Sequence, residues 1–364
     1  MTAKTWDGLQ GLEAVITRRR KRVLAVGFVL AAFGVAVAVV SLGAGAVPIP
    51  AADVVSALTH AARGDADPTV GRNALVVVSI RLPRLLMGFL VGAGLAVAGA
   101  LMQGLFRNPL ADPGLVGVSA GAALAAAATI VLGDAYLAPI VGQVPFGALP
   151  FGAFVGGLLA TVALYAVATR QGRTSISTML LAGVALGGLA GALTGLLAFT
   201  SDDRQLRDLT FWSLGSLGGS TWTKVVVTAP IIVALVLSLP LLAKGLNSLA
   251  LGEAEAFHLG VPVQRLKTAV VILTALAVGA SVAAAGVIGF IGIVVPHLIR
   301  IVLGPDHRIL LPFSALLGGT LLMGADVIAR TVVAPAELPI GIVTAAVGAP
   351  FFLWLLLRRR GALA

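Results

Sequence analysis

Long apolar segments separated by short polar breaks run along the whole chain, and this pattern predicts an all-helical membrane protein. Most apolar runs have about the 20 residues that a helix needs to cross the hydrocarbon core of a bilayer. Alternation of apolar and polar residues, which is typical of membrane strands, is absent. The candidate spans are ten in number: 23–42, 84–105, 116–132, 150–169, 176–199, 222–243, 266–285, 290–303, 308–331 and 340–357.

The first and the eighth of these segments each have an alternative interpretation. The basic run from Arg18 to Arg22 precedes a long apolar stretch, about twice the length of a usual signal-peptide core, so we interpret it as an uncleaved first span. The run at 290–303 is too short to span alone and is either extended by its neighbours or partly re-entrant. An even number of spans places both termini on the same side.

Composition supports a polytopic membrane protein folded as one domain over residues 1–364. Hydrophobic residues make up 59% of the chain, charged residues 11%, and the mean hydropathy is +1.05. The net charge of +10 does not favour nucleic acid binding, because the charges follow the breaks between spans. The chain has no cysteine, which excludes disulfides and thiolate chemistry.

The distribution of Lys and Arg predicts that both termini are cytoplasmic. Under that topology about two thirds of the basic residues lie inside, as the positive-inside rule requires. The same topology places the N-terminal segment 1–22 and the polar break 244–265 in the cytoplasm.

The interval from Lys244 to Lys267, KGLNSLALGEAEAFHLGVPVQRLK, contains this break and predicts a short helix that stays outside the membrane. Glu253 to Leu259 form its core, Gly260 supplies a left-handed residue at its end, and Pro262 prevents continuation. A polar helix between two spans needs a partner, and another protein that docks there is the natural candidate.

Catalytic motifs are missing from the chain. There is no HExxH motif, no Cys-His pair and no Gly-Lys dipeptide, so a phosphate-binding P-loop cannot be built. We therefore expect a transport protein rather than an enzyme, and any ATP hydrolysis belongs to another subunit. The four histidines are scattered, so no metal site is predicted.

Small residues recur every fourth position in two spans, which places them on one helical stripe. Such a stripe either marks tight helix packing or leaves room along a transport pathway. The stripe of the fifth span is Gly183, Gly187, Gly191 and Gly195, and that of the second span is Gly88, Gly92 and Ala96.

Charged residues at the outer ends of the spans have alternative interpretations. Asp326 and Arg330 are four residues apart and are expected to form a local salt bridge. An ion-coupled secondary transporter would need buried carboxylates that bind the coupling ion, and Asp326 alone is weak evidence for such a site. Arg81, Arg84 and Arg330 either anchor the helices at the interface or form a basic docking surface for an external protein.

Seven blocks of sequence, in order, resemble the FecCD-type permeases, the membrane subunits of importers for iron-siderophores, haem and cobalamin. They are RLPRLLMGFLVGAGLAVAGALMQGLFRNPLADPGLVGVSAGA, MLLAGVALG, LRDLTFWSLGSLGG, LALGEAEAFHLGV, GFIGIVVPHLIR, DHRILLPFSALLGG and ADVIARTVVAPAELPIGIVTAAVGAPFFLWLLL. The blocks extend from about Arg81 to Leu357.

The resemblance implies a type II ABC importer permease with about ten transmembrane helices in the bacterial inner membrane. Its partners would be a second copy of itself, two ATP-binding subunits, a periplasmic substrate-binding protein and membrane lipid, but no nucleic acid. The chain itself would hold no cofactor or metal, and ATP and Mg would be bound by the partner subunit. Block FWSLGSLGG favours haem as substrate, then a ferric siderophore, then cobalamin.

The resemblance also assigns residues to four roles, with none catalytic. The ATPase-coupling residues are Gly252, Glu253, Glu255, Phe257, His258 and Gly260. Arg81, Arg84 and Arg330 correspond to arginines that dock the binding protein. Asn108, Leu110, Ser177 and Thr178 correspond to a cytoplasmic gate, and Gly183, Gly187 and Gly191 would line the pathway.

Overall fold

The computed structural model describes residues 3–45, 47–63, 72–133 and 147–360 as an almost entirely helical protein. The helices are α1 (Ala3–Gly43), α2 (Ala51–Arg63), α3 (Arg72–Val76), α4 (Leu82–Phe106), α5 (Val118–Leu132), α6 (Ala148–Ala168), α7 (Ile176–Phe199), α8 (Asp203–Ser213), α9 (Trp222–Leu249), α10 (Glu253–His258), α11 (Val263–Ala285), α12 (Ile291–Leu303), α13 (His307–Thr331) and α14 (Ile340–Arg360). A π-helical turn (Val77–Arg81) joins α3 to α4, and a 3-10 turn (Pro113–Val116) precedes α5. Strands β1 (Thr169–Arg170) and β2 (Arg173–Thr174) pair antiparallel between α6 and α7.

Every candidate span of the sequence falls on one of these helices. Seven helices of the described residues are long and apolar enough to cross a membrane, and α5, α12 and α14 are shorter apolar helices. The structure is therefore that of a polytopic helical protein, whereas the number of true spans and the side of the termini stay predictions. Two boundaries differ: α1 begins at Ala3, well before the predicted span at 23, and α9 continues past 243 to Leu249.

Helix α4 lies at the centre of the molecule and packs against α9, α11, α12 and α13. Close approach of the backbones explains why this central helix is rich in small residues. A side chain at Gly92 would place its Cβ 2.3 Å from the carbonyl oxygen of Gly318, and one at Gly99 would lie 1.9 Å from that of Gly292. These positions permit only glycine, so the stripe in the second span marks tight packing.

Helices α5, α6 and α7 form a second packed group, which contacts the central helices through α11. Within it, α7 leaves most of its surface exposed, including the large side chains Leu181, Val184 and Phe199. The first helix, α1, packs at the periphery against α13. The described part of the chain thus leaves one face of α7 uncovered.

Candidate functional site

The polar break between α9 and α11 contains the predicted short helix, α10. Gly252, which precedes it, has φ of 134°, and Gly260, which follows it, has φ of 81°. Both values lie in the region that favours glycine, and the left-handed residue expected at Gly260 is confirmed. Pro262 then precedes the first residue of α11.

Apolar side chains project from this break even though it lies outside the candidate spans. Phe257 is 70% exposed and Leu259 62% exposed, and Leu251 is also exposed. Only Ala256 of α10 is buried against the rest of the chain. The acidic Glu255 and the ring of His258 are exposed beside these apolar groups. A helix that shows this mixture of apolar and charged groups has the composition of an interaction surface.

A buried lysine that belongs to none of the sequence motifs connects this break to the segment before α7. Lys267 Nζ lies 2.7 Å from both carboxylate oxygens of Glu253 and donates to the carbonyl oxygen of Thr174 at 2.9 Å. The only sequence signal is a lysine within an apolar span, since its partners are 14 and 93 residues away.

The candidate gate residues lie at the ends of two different helices. Asn108 follows α4 and its Oδ1 accepts a hydrogen bond from the Leu110 amide at 3.0 Å, which holds the chain in a tight turn. Ser177 and Thr178 form the first turn of α7, and both are exposed. The 3-10 turn that follows Leu110 packs against α7, so the two pairs lie on contacting parts of the chain.

The elbow after Leu110 also contains an aspartate with an altered acidity. Asp112 caps the 3-10 turn, and its Oδ1 accepts a hydrogen bond from the Gly114 amide at 2.7 Å. Burial raises the pKa of the Asp112 carboxyl, and the hydrogen bond from Gly114 offsets this only in part. The protonated carboxyl is thereby favoured relative to an exposed aspartate.

The glycine stripe of α7 differs from that of α4 in its surroundings. Among the residues that the structure describes, nothing lies within 4 Å of a Cβ built at Gly187, Gly191 or Gly195, whereas Gly183 is buried. Packing within the chain therefore does not explain three of these four glycines. This part of the stripe faces away from the packed helices of its own chain.

The three outer arginines are not an exposed basic surface in this structure. Arg81, Arg84 and Arg330 are 6%, 8% and 6% exposed, because each guanidinium binds groups of its own chain. Arg81 donates to the carbonyl oxygens of Leu42 and Gly43 at 2.6 and 2.7 Å. A binding protein would have to compete with such internal partners, and the docking role stays a prediction.

Asp326 lies at the centre of a buried charge cluster. Its carboxylate accepts three hydrogen bonds from Arg84, at 2.8, 3.0 and 3.0 Å, and lies 3.5 Å from Arg330 Nε. The local pair of Asp326 with Arg330 was expected, but the stronger contact with Arg84, 242 residues away, was not. Arg84 also pairs with Glu337 at 2.8 Å. The aspartate is thus engaged by two arginines rather than available to couple an ion.

Among the residues that the structure describes, no group of three or more His, Cys, Asp or Glu side chains could hold a metal ion.

The fold and the apolar helices define a polytopic α-helical membrane protein. Comparison with known families identifies it further: the chain belongs to the FecCD transport family, whose profile matches residues 24–358. This confirms the resemblance expected from the seven sequence blocks.

Curated relatives include permeases for two different compounds. The hemin transport system permease HmuU of Yersinia pestis is 47% identical over 291 residues, which cover 78% of this chain and 83% of the relative. The cobalamin import system permease BtuC of Halobacterium salinarum is 45% identical over 282 residues, which cover 78% of this chain and 73% of the relative.

A solved structure supports the fold. The structure of an inward-facing metal-chelate type ABC transporter matches this chain with a TM-score of 0.78 and 32% sequence identity. The match covers 92% of this chain and 99% of the chain of that transporter.

Proposed function

We propose that this chain is the permease subunit of an ATP-driven ABC importer, which moves its substrate inward by alternating access. The observation that carries the proposal is the exposed helix α10, with Phe257 and Leu259 projecting from a break between two long apolar helices. The chain has no P-loop of its own, so ATP and Mg would be bound by a separate ATP-binding subunit that docks on this helix. Family membership and the likeness to an ABC transporter support the same interpretation.

The functional unit would contain two copies of this chain, with the pathway between them. The exposed face of α7 is the candidate for both the contact and the pathway, because a Cβ built at Gly187 or Gly191 would meet no described residue within 4 Å. Small residues there would let a second α7 approach closely or leave room for a bulky solute. Asn108, Leu110, Ser177 and Thr178 would close this pathway at the cytoplasmic side.

Docking of a periplasmic binding protein would take place at the outer end of α4. Glu337, with a side chain 44% exposed, is the accessible partner of Arg84. A carboxylate of the binding protein could replace it without disturbing the buried Asp326. We therefore expect Glu337→Gln to strengthen docking, measured by surface plasmon resonance with the permease in nanodiscs, and unchanged affinity would contradict the exchange.

Haem is our proposed substrate. The support is the FWSLGSLGG segment and the 47% identity to a hemin permease. Cobalamin is the second candidate, because a cobalamin permease is 45% identical, and a ferric siderophore is the third. Competition among unlabelled haem, cyanocobalamin and a ferric siderophore for uptake would separate the three, and inhibition by cyanocobalamin alone would overturn haem.

The decisive experiment reconstitutes the chain in proteoliposomes with its ATP-binding subunit and its binding protein. Uptake is expected to require ATP and to be inhibited by vanadate. Uptake that persists without the ATP-binding subunit and follows a pH gradient would contradict the proposal and favour an ion-coupled secondary transporter.

A further inference from the structure

Lys267 is a charged side chain in a place where charge is costly. It lies one turn inside α11 and is 3% exposed, so its ammonium group is removed from water. Its partners are the carboxylate of Glu253 and the carbonyl oxygen of Thr174, at 2.7 and 2.9 Å. Removing either partner would leave part of a buried charge uncompensated, which is strongly unfavourable. The ammonium group therefore tends to keep both partners together.

The first partner belongs to the coupling helix. Glu253 is the first residue of α10, and its side chain is 43% exposed. Since only Ala256 of this helix is buried, α10 has little packing surface that could hold it against its own chain. The ion pair with Lys267 is thus a side-chain link through which a displacement of α10 can act on α11.

The second partner is fixed at several atoms. The amide of Thr174 donates to Gln264 Oε1 at 3.1 Å, its carbonyl accepts from Lys267, and its hydroxyl contacts Gln264 and Tyr165. Gln264 and Lys267 both lie in the first turns of α11, directly after the coupling segment. The end of β2 is therefore held by the same short stretch of α11 that binds α10.

The residue after Thr174 begins the helix that carries half of the candidate gate. Ser175 caps α7: its Oγ accepts from the Thr178 amide at 3.3 Å and from the Thr178 hydroxyl at 2.9 Å. Helix α7 makes little close contact along its exposed glycine face. The contacts at Thr174 and Ser175 therefore add to the packing against α5, α6 and the 3-10 turn in positioning the first turn of α7.

We propose that Lys267 is a positioning residue that transmits displacement of the coupling helix α10 to the inner end of α7. The chain of contacts runs from Glu253 through the Lys267 ammonium to the Thr174 carbonyl, and from there through Ser175 to Thr178 in the first turn of α7. This proposal rests on the proposed function, because it assumes that an ATP-binding subunit displaces α10. A link of this kind, with a buried ammonium group at its centre, would let a small movement of an exposed helix change the width of the pathway.

The test uses the full complex in proteoliposomes and compares Lys267→Met with wild type. The readouts are haem uptake per ATP hydrolysed and the distance between spin labels at Ser177→Cys in the two copies, with and without ATP and vanadate. The chain contains no cysteine, so the introduced residue is the one labelling position in each copy. We expect uptake per ATP to fall about tenfold, with loss of the nucleotide-dependent change in distance.

Control variants separate coupling from simple loss of structure. Lys244→Met removes an exposed positive charge near the same membrane face and is expected to behave as wild type. Lys267→Arg keeps a buried cation that can reach both partners and is expected to restore part of the coupling. A purely structural role would lower the amount of assembled complex without changing uptake per ATP in the remainder.

Two outcomes overturn the proposal. The first is Lys267→Met with wild-type uptake per ATP and a wild-type change in the Ser177 distance. The second applies if the Lys267→Met complex does not assemble, and it uses Glu253→Gln, whose half-exposed side chain can be changed without burying a new group. An unchanged ratio of uptake to ATP hydrolysis in Glu253→Gln would then overturn the proposal. A wild-type complex without ATP-dependent uptake would instead contradict the proposed function.

Discussion

Replacing Asp326 by asparagine should test whether the outer charge cluster holds the helices together. The substitution keeps the shape of the side chain but removes the negative charge that faces Arg84 and Arg330. Three hydrogen bonds from Arg84 and the 3.5 Å ion pair with Arg330 are weakened at once. Both arginines would remain buried with less compensating charge.

The expected loss is about 3–5 kcal/mol, the usual effect of removing one partner of a buried ion pair. For a chain of this size we expect the unfolding midpoint to fall by roughly 5–15 °C. Intrinsic tryptophan fluorescence of the detergent-purified protein during heating would measure the change.

Glu337→Gln is the matched control, because it removes a carboxylate from the same Arg84. Its side chain is 44% exposed, so water can replace the lost contact and the expected cost is about 0–1 kcal/mol. Equal midpoints for Asp326→Asn and Glu337→Gln would refute the reasoning that burial makes Asp326 the stabilising partner.

Three further predictions concern the glycine stripes, the coupling helix and the gate elbow. Gly92→Val should destabilise the protein by at least about 1–3 kcal/mol in the same heating experiment, whereas Gly191→Val should stay within about 0.5 kcal/mol of wild type; equal losses would contradict the difference in packing. Phe257→Ser should weaken pull-down of the ATP-binding subunit, while Val333→Ser, an equally apolar change in the exposed outer loop, should not; retained binding of Phe257→Ser would count against docking at α10. The pKa of Asp112 is raised in the folded protein, so this carboxyl stabilises the folded state at pH below its unfolded pKa of 3.8, and the contribution is lost as pH rises through the folded pKa. The unfolding midpoint of Asp112→Asn should therefore depend less on pH above about 4 than that of the wild type. An unchanged slope of midpoint against pH would refute this.

Much of the architecture was predictable because its causes are local. Each apolar run became one helix, since a backbone in hydrocarbon must satisfy its hydrogen bonds within the segment. The end of α10 at Gly260 and Pro262 followed equally from the conformational preferences of single residues. The helix boundaries were less predictable: α9 extends to Leu249 because nothing local stops it at 243.

The candidate site was predictable only in part. Phe257 and its neighbours were found because a polar interval between apolar spans is visible in the sequence. Lys267 was missed because its importance comes from Glu253 and Thr174, which only the fold brings to it. The burial of Arg81, Arg84 and Arg330 was not visible in the sequence for the same reason, since their partners are distant along the chain.

The sequence by itself determined that this is a helical membrane protein, that the given chain contains no P-loop motif, and that it resembles one transport family. Composition, run length and motif are properties of the chain alone. The two glycine stripes show what the sequence pattern does not determine. Their spacing is identical, yet Gly92 touches the backbone of Gly318 while Gly191 faces open space. Only the tertiary structure decided between them, because a four-residue repeat defines a helical face but not what lies opposite it.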